Sequence, residues 1–167
     1  MNDELTEVDI KKMQEEVEYR RLELRPKLIE DVKTAREFGD LSENFEYKSA
    51  KREKNRNDSR IRYLEHMIKT AKVIEVNSKS DEIGLFDKVE IYIEDDDETQ
   101  TIELVTTLRQ NALKGLISKE SPVGKAVLGH RAGDRVMVEV SPDYSYPIEI
   151  RSVVKGSDDE SLPISAY

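Results

Sequence analysis

Apolar residues recur at steps of three and four along the first part of the chain, which predicts two long helices. The first is expected over residues 7–38, with Thr6 and Asp9 as a capping arrangement and Gly39 as its stop signal. Pro26 interrupts this pattern and predicts a local kink, because proline lacks an N–H and crowds the preceding turn. The apolar positions of this helix are Ile10, Met13, Val17, Leu24, Leu28, Val32 and Ala35.

The second helix is expected from about Glu43 to Ile74, with an unbroken heptad seam. Two long helices joined by a short turn fold back on each other, so we predict an antiparallel coiled-coil hairpin. With the turn near residue 42, facing positions sum to about 85, which places Lys54 opposite Asp31. The same register pairs Tyr47 with Phe38, Ile61 with Leu24 and Ile68 with Val17. The seam is Tyr47, Ala50, Lys54, Asn57, Ile61, Leu64, Ile68 and Ala71.

The pattern changes to strand-like alternation in the second half of the chain. LFDKVEIYIED and QTIELVT predict a hairpin around an acidic turn, and GDRVMVEVS and PIEIRSVVK predict two more strands. PVGKAVLG predicts a short helix opened by Ser121 and Pro122 and closed by Gly129. The fold class is therefore α+β: a helical hairpin over residues 1–76, an antiparallel-sheet domain over 77–157 and a loose tail over 158–167.

Composition and charge narrow the classes of function. The chain is 37% hydrophobic and 38% charged with a net charge of −9, which argues against indiscriminate DNA binding. Residues 1–76 hold 17 basic and 18 acidic side chains, so nearly all the excess negative charge lies after them. Residues 48–62 nevertheless hold seven basic and two acidic side chains, a local patch of +5. The chain has no cysteine and no run long enough to span a membrane, so we expect a soluble, cytoplasmic protein.

Two carboxylates, Asp40 and Glu43, lie three residues apart in the turn between the helices. They are typical of the first turn of a helix, where negative charge complements the helix dipole and Ser42 or Asp40 can act as cap. At the end of a long rod they could also enter a deep site on a partner. There they would bind a divalent cation and orient a water for phosphodiester hydrolysis.

Basic residues follow these acids at four-residue steps: Lys48, Arg52, Arg56 and Arg60. Such a row can be a solvated helix face, but beside an acidic turn it also suits the backbone of single-stranded RNA or DNA. Phe45 and Tyr47 are placed to stack on a base or to lock the turn, and Tyr47 belongs to the seam. The acidic run at residues 95–98 is expected to be a solubilising loop, and His66 and His130 receive no role.

Three segments together resemble the bacterial Gre transcript-cleavage factors of the GreA type: AREFGDLSENFEYKSAKRE, RIRYLEHMIKTAKVIE and GLISKESPVGKAVLGHRAGDRVMVEV. The resemblance runs from about residue 7 to residue 154, in order and spacing. It implies a C-terminal domain of FKBP-like fold and a hairpin that enters the secondary channel of a backtracked RNA polymerase. The polymerase then cleaves the 3′ end of its own RNA, and the factor is not itself an enzyme.

The resemblance also implies roles for individual residues. Asp40 and Glu43 match the tip acids that help to hold a second magnesium ion and the attacking water. Arg36 and Lys51, with Arg52 beside them, match the patch that contacts RNA, and we include Lys48 and Arg56 from the basic row. Phe45 departs from the family pattern, which has a small residue at that position.

The sequence is also compatible with other functions. A regulator could use the same hairpin to block the channel and inhibit transcription without cleavage, and a coiled-coil adaptor with a chaperone-like domain would not bind polymerase at all. The expected partners are RNA polymerase and the nascent RNA, with no membrane, and the chain is expected to be a monomer. We expect no metal in the isolated protein, because Mg²⁺ dehydrates reluctantly and usually takes phosphate ligands as well.

Overall fold

The computed structural model describes residues 3–38, 44–76, 79–158 and 160–165. The chain forms two compact units: residues 10–71, and the residues up to Asp9 together with those from Lys72 onward. The helices are α1 (Glu7–Tyr19), α2 (Arg25–Arg36), α3 (Phe45–Thr70) and α4 (Pro122–Val127). The strands are β1 (Glu4–Leu5), β2 (Lys72–Val73), β3 (Lys88–Ile93), β4 (Glu98–Val105), β5 (Leu116–Ser118), β6 (Arg135–Ser141) and β7 (Tyr144–Val154). The predicted fold class, a helical hairpin followed by a small α+β domain, is confirmed.

The first helical run changes geometry just before Pro26. Residues Arg20–Leu24 form a π-helical turn between α1 and α2, and the Arg25 N–H donates to the Arg20 carbonyl five residues back. Pro26 then lies in the first turn of α2, and the wider π-helical turn before it accommodates the proline ring and its missing N–H. The irregularity predicted at Pro26 therefore takes the form of a π-helical turn.

Helix α3 is shorter than the sequence predicts. It begins at Phe45 and ends at Thr70, and Ala71 already has an extended backbone. Lys72 and Val73, predicted as helix, instead form β2, which pairs in parallel with β1. The expectation of a helix up to Ile74 was wrong because pairing with the N-terminal segment overrides the helical pattern at these residues.

The interior of the hairpin follows the predicted seam. All fifteen predicted seam positions are buried or half-buried, and Met13 and Leu64 are completely buried. Asn57, a polar member of the seam, accepts a hydrogen bond from Arg20 Nη1 at 2.8 Å and donates to the Arg20 carbonyl at 3.2 Å. The period of three and four therefore identified the packed faces of both helices correctly.

The predicted pairing across the seam was wrong in detail. Lys54 makes its ion pair with Asp58 of its own helix at 3.2 Å, rather than with Asp31, and Asp58 also accepts from Arg25 at 3.0 Å. Phe38, predicted to face Tyr47, is 71% exposed. A constant-sum register assumes two regular α-helices, and the π-helical turn breaks that assumption because it rotates the residues that follow it.

A five-stranded sheet forms the second unit, in the order β5-β4-β3-β7-β6. β3 pairs antiparallel with both β4 and β7, and β7 pairs antiparallel with β6. β5 pairs with β4 in parallel. The sheet is therefore mixed rather than purely antiparallel as expected. Both predicted strand pairs, β3 with β4 and β6 with β7, are present.

Helix α4 closes one side of this sheet, and Val127 is completely buried in the core. Ser121 accepts from the Gly124 N–H at 3.1 Å, as expected of a helix start. Gly124 lies so close to β5 that a Cβ atom there would come within 2.1 Å of the Ser118 carbonyl oxygen. The core consists of Ile83, Val89, Ile91, Ile102, Leu104, Val127, Val136, Val138, Ile148 and Ile150.

The segment after β7, predicted as a loose tail from residue 158, makes specific contacts with the sheet unit. Leu162 packs against a second apolar cluster that contains Phe86 and Val105. The Ser165 backbone N–H and hydroxyl both donate to the Leu108 carbonyl at 2.6 Å. Asp158 accepts hydrogen bonds from Thr6 and Arg109.

Candidate nucleic-acid interface

Asn44 fixes the start of α3 next to the turn between the helices. Its side-chain oxygen accepts from the Tyr47 N–H at 3.0 Å, and its amide group donates to the Ala35 carbonyl at 2.8 Å. One side chain thus caps α3 and ties it to the last turn of α2. Asp40 and Glu43, the predicted tip acids, lie outside the described residues.

The predicted cap was wrong: Asn44 has this role rather than Ser42 or Asp40. Asparagine is among the strongest N-cap residues, so the sequence carried the signal. The prediction missed it because it began the helix two residues early, at Glu43. The hydrogen bond to Ala35 could not be read from the sequence, because it depends on how α2 ends.

Two of the predicted RNA-binding cations flank the ring of Tyr47. The Arg36 guanidinium lies 5.6 Å from the ring centre and the Lys51 ammonium lies 6.0 Å from it. Hydrogen bonding from Arg36, with the charge of Lys51, lowers the pKa of the Tyr47 hydroxyl below its ordinary value of 10.0. The tyrosine therefore draws one cation from α2 and one from α3 to the same place.

The basic row runs along the exposed side of α3. Lys48, Arg52 and Arg56 are exposed and form an open surface of α3 with Lys51, Asn55 and Ser59. A row of exposed cations along a helix suits a polyanionic strand, because its charges can follow successive phosphates. The structure thus brings together Lys48, Lys51, Arg52 and Arg56 on one helix, and places Arg36 beside Lys51 through Tyr47.

Arg60, predicted to continue the exposed row, is buried. Its Nε donates to Glu16 at 2.9 Å, and Arg20 donates to the same carboxylate at 2.8 Å. Burial opposes ionisation of Glu16, but these two arginines outweigh it and hold its pKa below the ordinary value. Arg60 therefore joins α3 to α1, and the exposed row ends before it.

The acidic run at residues 95–98 serves the hairpin between β3 and β4. Glu94 binds Arg135 at 2.7 Å, and Tyr92 donates to Asp97 at 2.5 Å.

Within the part of the chain that the structure describes, no three His, Asp or Glu side chains are grouped to hold a metal ion. His66 is exposed, and His130 lies 3.2 Å from Asp134. No described helix has the length and apolar composition needed to cross a bilayer.

Comparison with known families assigns both halves of the chain. The family model described as "Transcription elongation factor, N-terminal" matches residues 4–73. The model described as "Transcription elongation factor, GreA/GreB, C-term" matches residues 77–155. The chain therefore belongs to the GreA/GreB family of transcription elongation factors, and the resemblance seen in its sequence is confirmed.

Two GreA proteins agree with this assignment. The chain is 43% identical to the transcription elongation factor GreA of Thermoanaerobacter pseudethanolicus over 137 residues, which are 81% of this chain and 87% of the relative. It is 36% identical to GreA of Oenococcus oeni over 152 residues, 90% of this chain and 94% of the relative. Among solved structures, the GreA factor homolog 1 of Thermus thermophilus is 27% identical with a TM-score of 0.43, covering 93% of this chain and all of that one.

Proposed function

We propose that this elongation factor binds bacterial RNA polymerase, inserts the tip of its hairpin into the secondary channel and stimulates cleavage of backtracked RNA 3′ ends. The observation that carries the proposal is the row Lys48, Arg52 and Arg56, exposed along α3, which begins shortly after Asp40 and Glu43 in the sequence. The acids precede the row in sequence, so an anionic strand lying along α3 would lead toward them. Cleavage of the backtracked 3′ end would return an arrested polymerase to elongation.

Asp40 and Glu43 are the proposed catalytic carboxylates of the complex. Their placement rests on the sequence and on the family, since the described residues resume at Asn44. The polymerase active site supplies magnesium, and the two acids would help to hold a second ion and the attacking water there. The chain is in this proposal an accessory factor rather than an enzyme, and it needs no metal of its own in isolation.

The cations are proposed to bind the extruded RNA. Arg36, Lys48, Lys51, Arg52 and Arg56 belong to this set, and residues 48–62 carry a net +5 in a chain of net charge −9. Such a local patch attracts a phosphate backbone at short range, while the acidic remainder disfavours duplex DNA at large. This face of α3 would therefore bind an anionic strand that the polymerase already holds near the tip of the hairpin.

A cleavage assay on stalled, backtracked complexes tests the proposal. We expect Asp40→Asn combined with Glu43→Gln to abolish the stimulated release of 3′ fragments. The matched control is Glu37→Gln with Glu46→Gln, which removes two exposed acids that flank the turn and should leave stimulation intact. Unchanged stimulation by the tip variant contradicts the carboxylate mechanism, and inhibition of transcription without any trimming would favour the channel-blocking regulator.

A further inference from the structure

Phe45 is the first residue of α3 and is 82% exposed. It adjoins Asn44, whose hydrogen bonds to Tyr47 and Ala35 fix the backbone at this end of the helix. A phenyl ring carries no hydrogen-bonding group to hold it in water, so this exposure leaves its apolar faces available for contact. The ring is thus an exposed apolar surface on a fixed piece of backbone.

The helix period places Phe45 on the same face as the basic row. At about 100° per residue, Lys48, Arg52 and Arg56 lie within about 60° of Phe45 around the helix axis. The buried seam residues Asn57 and Ile61 lie on the opposite side, more than about 100° away. Phe45 is on this face and is 82% exposed, so it does not pack within the hairpin, and it ends a stripe of cations about 16 Å long.

Tyr47, the neighbouring aromatic residue, is differently placed. It is half-buried on the seam side, with Arg36 and Lys51 close to its ring. Those cations hold a ring that is engaged within the hairpin. Of these two aromatic residues, Phe45 is the one whose ring faces solvent on the side of the basic row.

We propose that Phe45 is a stacking platform for a base of the single-stranded RNA that the proposed function brings to the tip. Its ring takes a base near the cleavage site, while Lys48 and Arg52 contact the phosphates that follow. Charge complementarity along the stripe favours nucleic acid as the occupant, and an aromatic ring beside a cationic track is the arrangement that binds single strands without regard to sequence. The inference rests on the proposed function for its choice of RNA.

Binding of the full chain to a labelled single-stranded RNA of about 12 nucleotides, followed by fluorescence anisotropy at low salt, tests the proposal. We expect Phe45→Ala to raise the Kd about tenfold, because stacking on one aromatic ring is worth that order of affinity. Phe45→Leu keeps an apolar side chain without a ring and should behave like Phe45→Ala. Phe38→Ala is the matched control, since Phe38 is also exposed but lies beyond the end of α2, and it should leave the Kd unchanged.

Two further measurements separate stacking from charge. An oligomer of the same length with abasic sugars keeps every phosphate, so the wild-type chain should bind it as weakly as the Phe45→Ala variant binds RNA. The slope of log Kd against log salt should be unchanged in Phe45→Ala. In Lys48→Gln with Arg52→Gln the slope should fall by about 1.4, as expected for two lost phosphate contacts.

Several outcomes overturn the proposal: no measurable binding of RNA by the wild-type chain, equal affinity of Phe45→Ala and wild type, or full affinity of Phe45→Leu. Equal losses in Phe45→Ala and Phe38→Ala would mean that exposed apolar side chains contribute to RNA binding regardless of their position, and would also contradict a stacking site. The cleavage assay with the Asp40 and Glu43 variant is scored separately. If Phe45→Ala binds RNA as wild type does while cleavage still depends on Asp40 and Glu43, the stacking proposal fails and the proposed function stands. If Phe45→Ala weakens RNA binding while cleavage does not depend on the two acids, the proposed function fails instead.

Discussion

The Arg109 guanidinium donates from Nε to Asp9 Oδ1 at 2.8 Å, and both side chains are completely inaccessible to solvent. The two residues are 100 positions apart in the sequence. Asp9 also accepts from the Thr6 N–H at 3.0 Å at the start of α1, so the same carboxylate caps a helix and binds the sheet unit. This pair explains why the first residues of the chain belong to the same compact unit as the sheet.

Replacing Arg109 by Met should destabilise the sheet unit by about 3–5 kcal/mol, because Asp9 would be left as a buried carboxylate without its cation. Urea unfolding followed by circular dichroism measures the loss. Arg131→Met is the matched control, since Arg131 is 54% exposed and its ion pair with Asp81 should be worth less than about 1 kcal/mol. Equal stability of the two variants would contradict a structural role for the buried pair.

Asp158 binds the same arginine from the C-terminal segment. It accepts from Arg109 Nη1 at 2.5 Å and from the Thr6 hydroxyl at 2.6 Å. We expect Asp158→Ala to cost about 1.5–3 kcal/mol, the range for hydrogen bonds to a charged group. Asp143→Ala, in the exposed turn between β6 and β7, should be neutral. Rapid proteolysis after residue 155 in the Asp158 variant alone would confirm that the contact holds the tail, whereas equal digestion of both variants would argue against it.

The hydrogen bonds of Asn44 give a prediction for the hairpin. Asn44→Ala removes an N-cap and the link to Ala35, and should destabilise the helical unit by about 1 kcal/mol. Asn44→Asp keeps the acceptor for the Tyr47 N–H but loses the donor to Ala35, so its stability should lie between those of the alanine variant and the wild type. Asn55→Ala, an exposed position within α3, is the control and should be neutral or slightly stabilising. Thermal unfolding at 222 nm orders the four proteins, and an Asn44→Asp variant as unstable as Asn44→Ala would discount the cap.

The sequence was sufficient to predict the hairpin because its information is periodic and local. Each seam residue from Ile10 to Ala71 could be assigned by steps of three and four, and all of them are buried or half-buried. The strand pairs of the sheet followed from alternation and turn residues in the same way. The confirmed features are those in which burial of a repeated apolar face decides the structure.

The wrong predictions concern residues whose partners are distant in the sequence or depend on an irregular backbone. Lys54 and Arg60 are basic residues of α3, as the exposed Arg52 is. Lys54 nevertheless pairs with an acid of its own helix, and Arg60 is buried against Glu16. No repeat in the sequence predicts a π-helical turn, and that turn changes which residues of the two long helices face each other. Likewise, Lys72 and Val73 continue a helical pattern until the N-terminal strand pairs with them. At the candidate site, the exposed row could be predicted, but the cap at Asn44 and the end of the row before Arg60 required the structure.

The contact of Glu16 with Arg60 predicts an acid-dependent stability of the helical hairpin. Burial opposes ionisation, but hydrogen bonds from Arg60 and Arg20 lower the pKa of Glu16 in the folded state below its ordinary value of 4.5. Folding therefore favours the ionised form, so this stabilisation is fully present above about pH 4.5 and is lost as the pH falls through the lower, folded-state pKa. Glu16→Gln should be less stable than wild type at pH 7. Since a protonated glutamate resembles glutamine, the difference should shrink toward zero in strong acid.

Urea unfolding of both proteins from pH 7 down to about pH 3 measures this difference in stability between Glu16→Gln and wild type. Glu15→Gln changes the exposed neighbouring residue and should show no such difference at any pH. A difference that stays constant across this range would mean that Glu16 stabilises the hairpin by packing rather than by its charge.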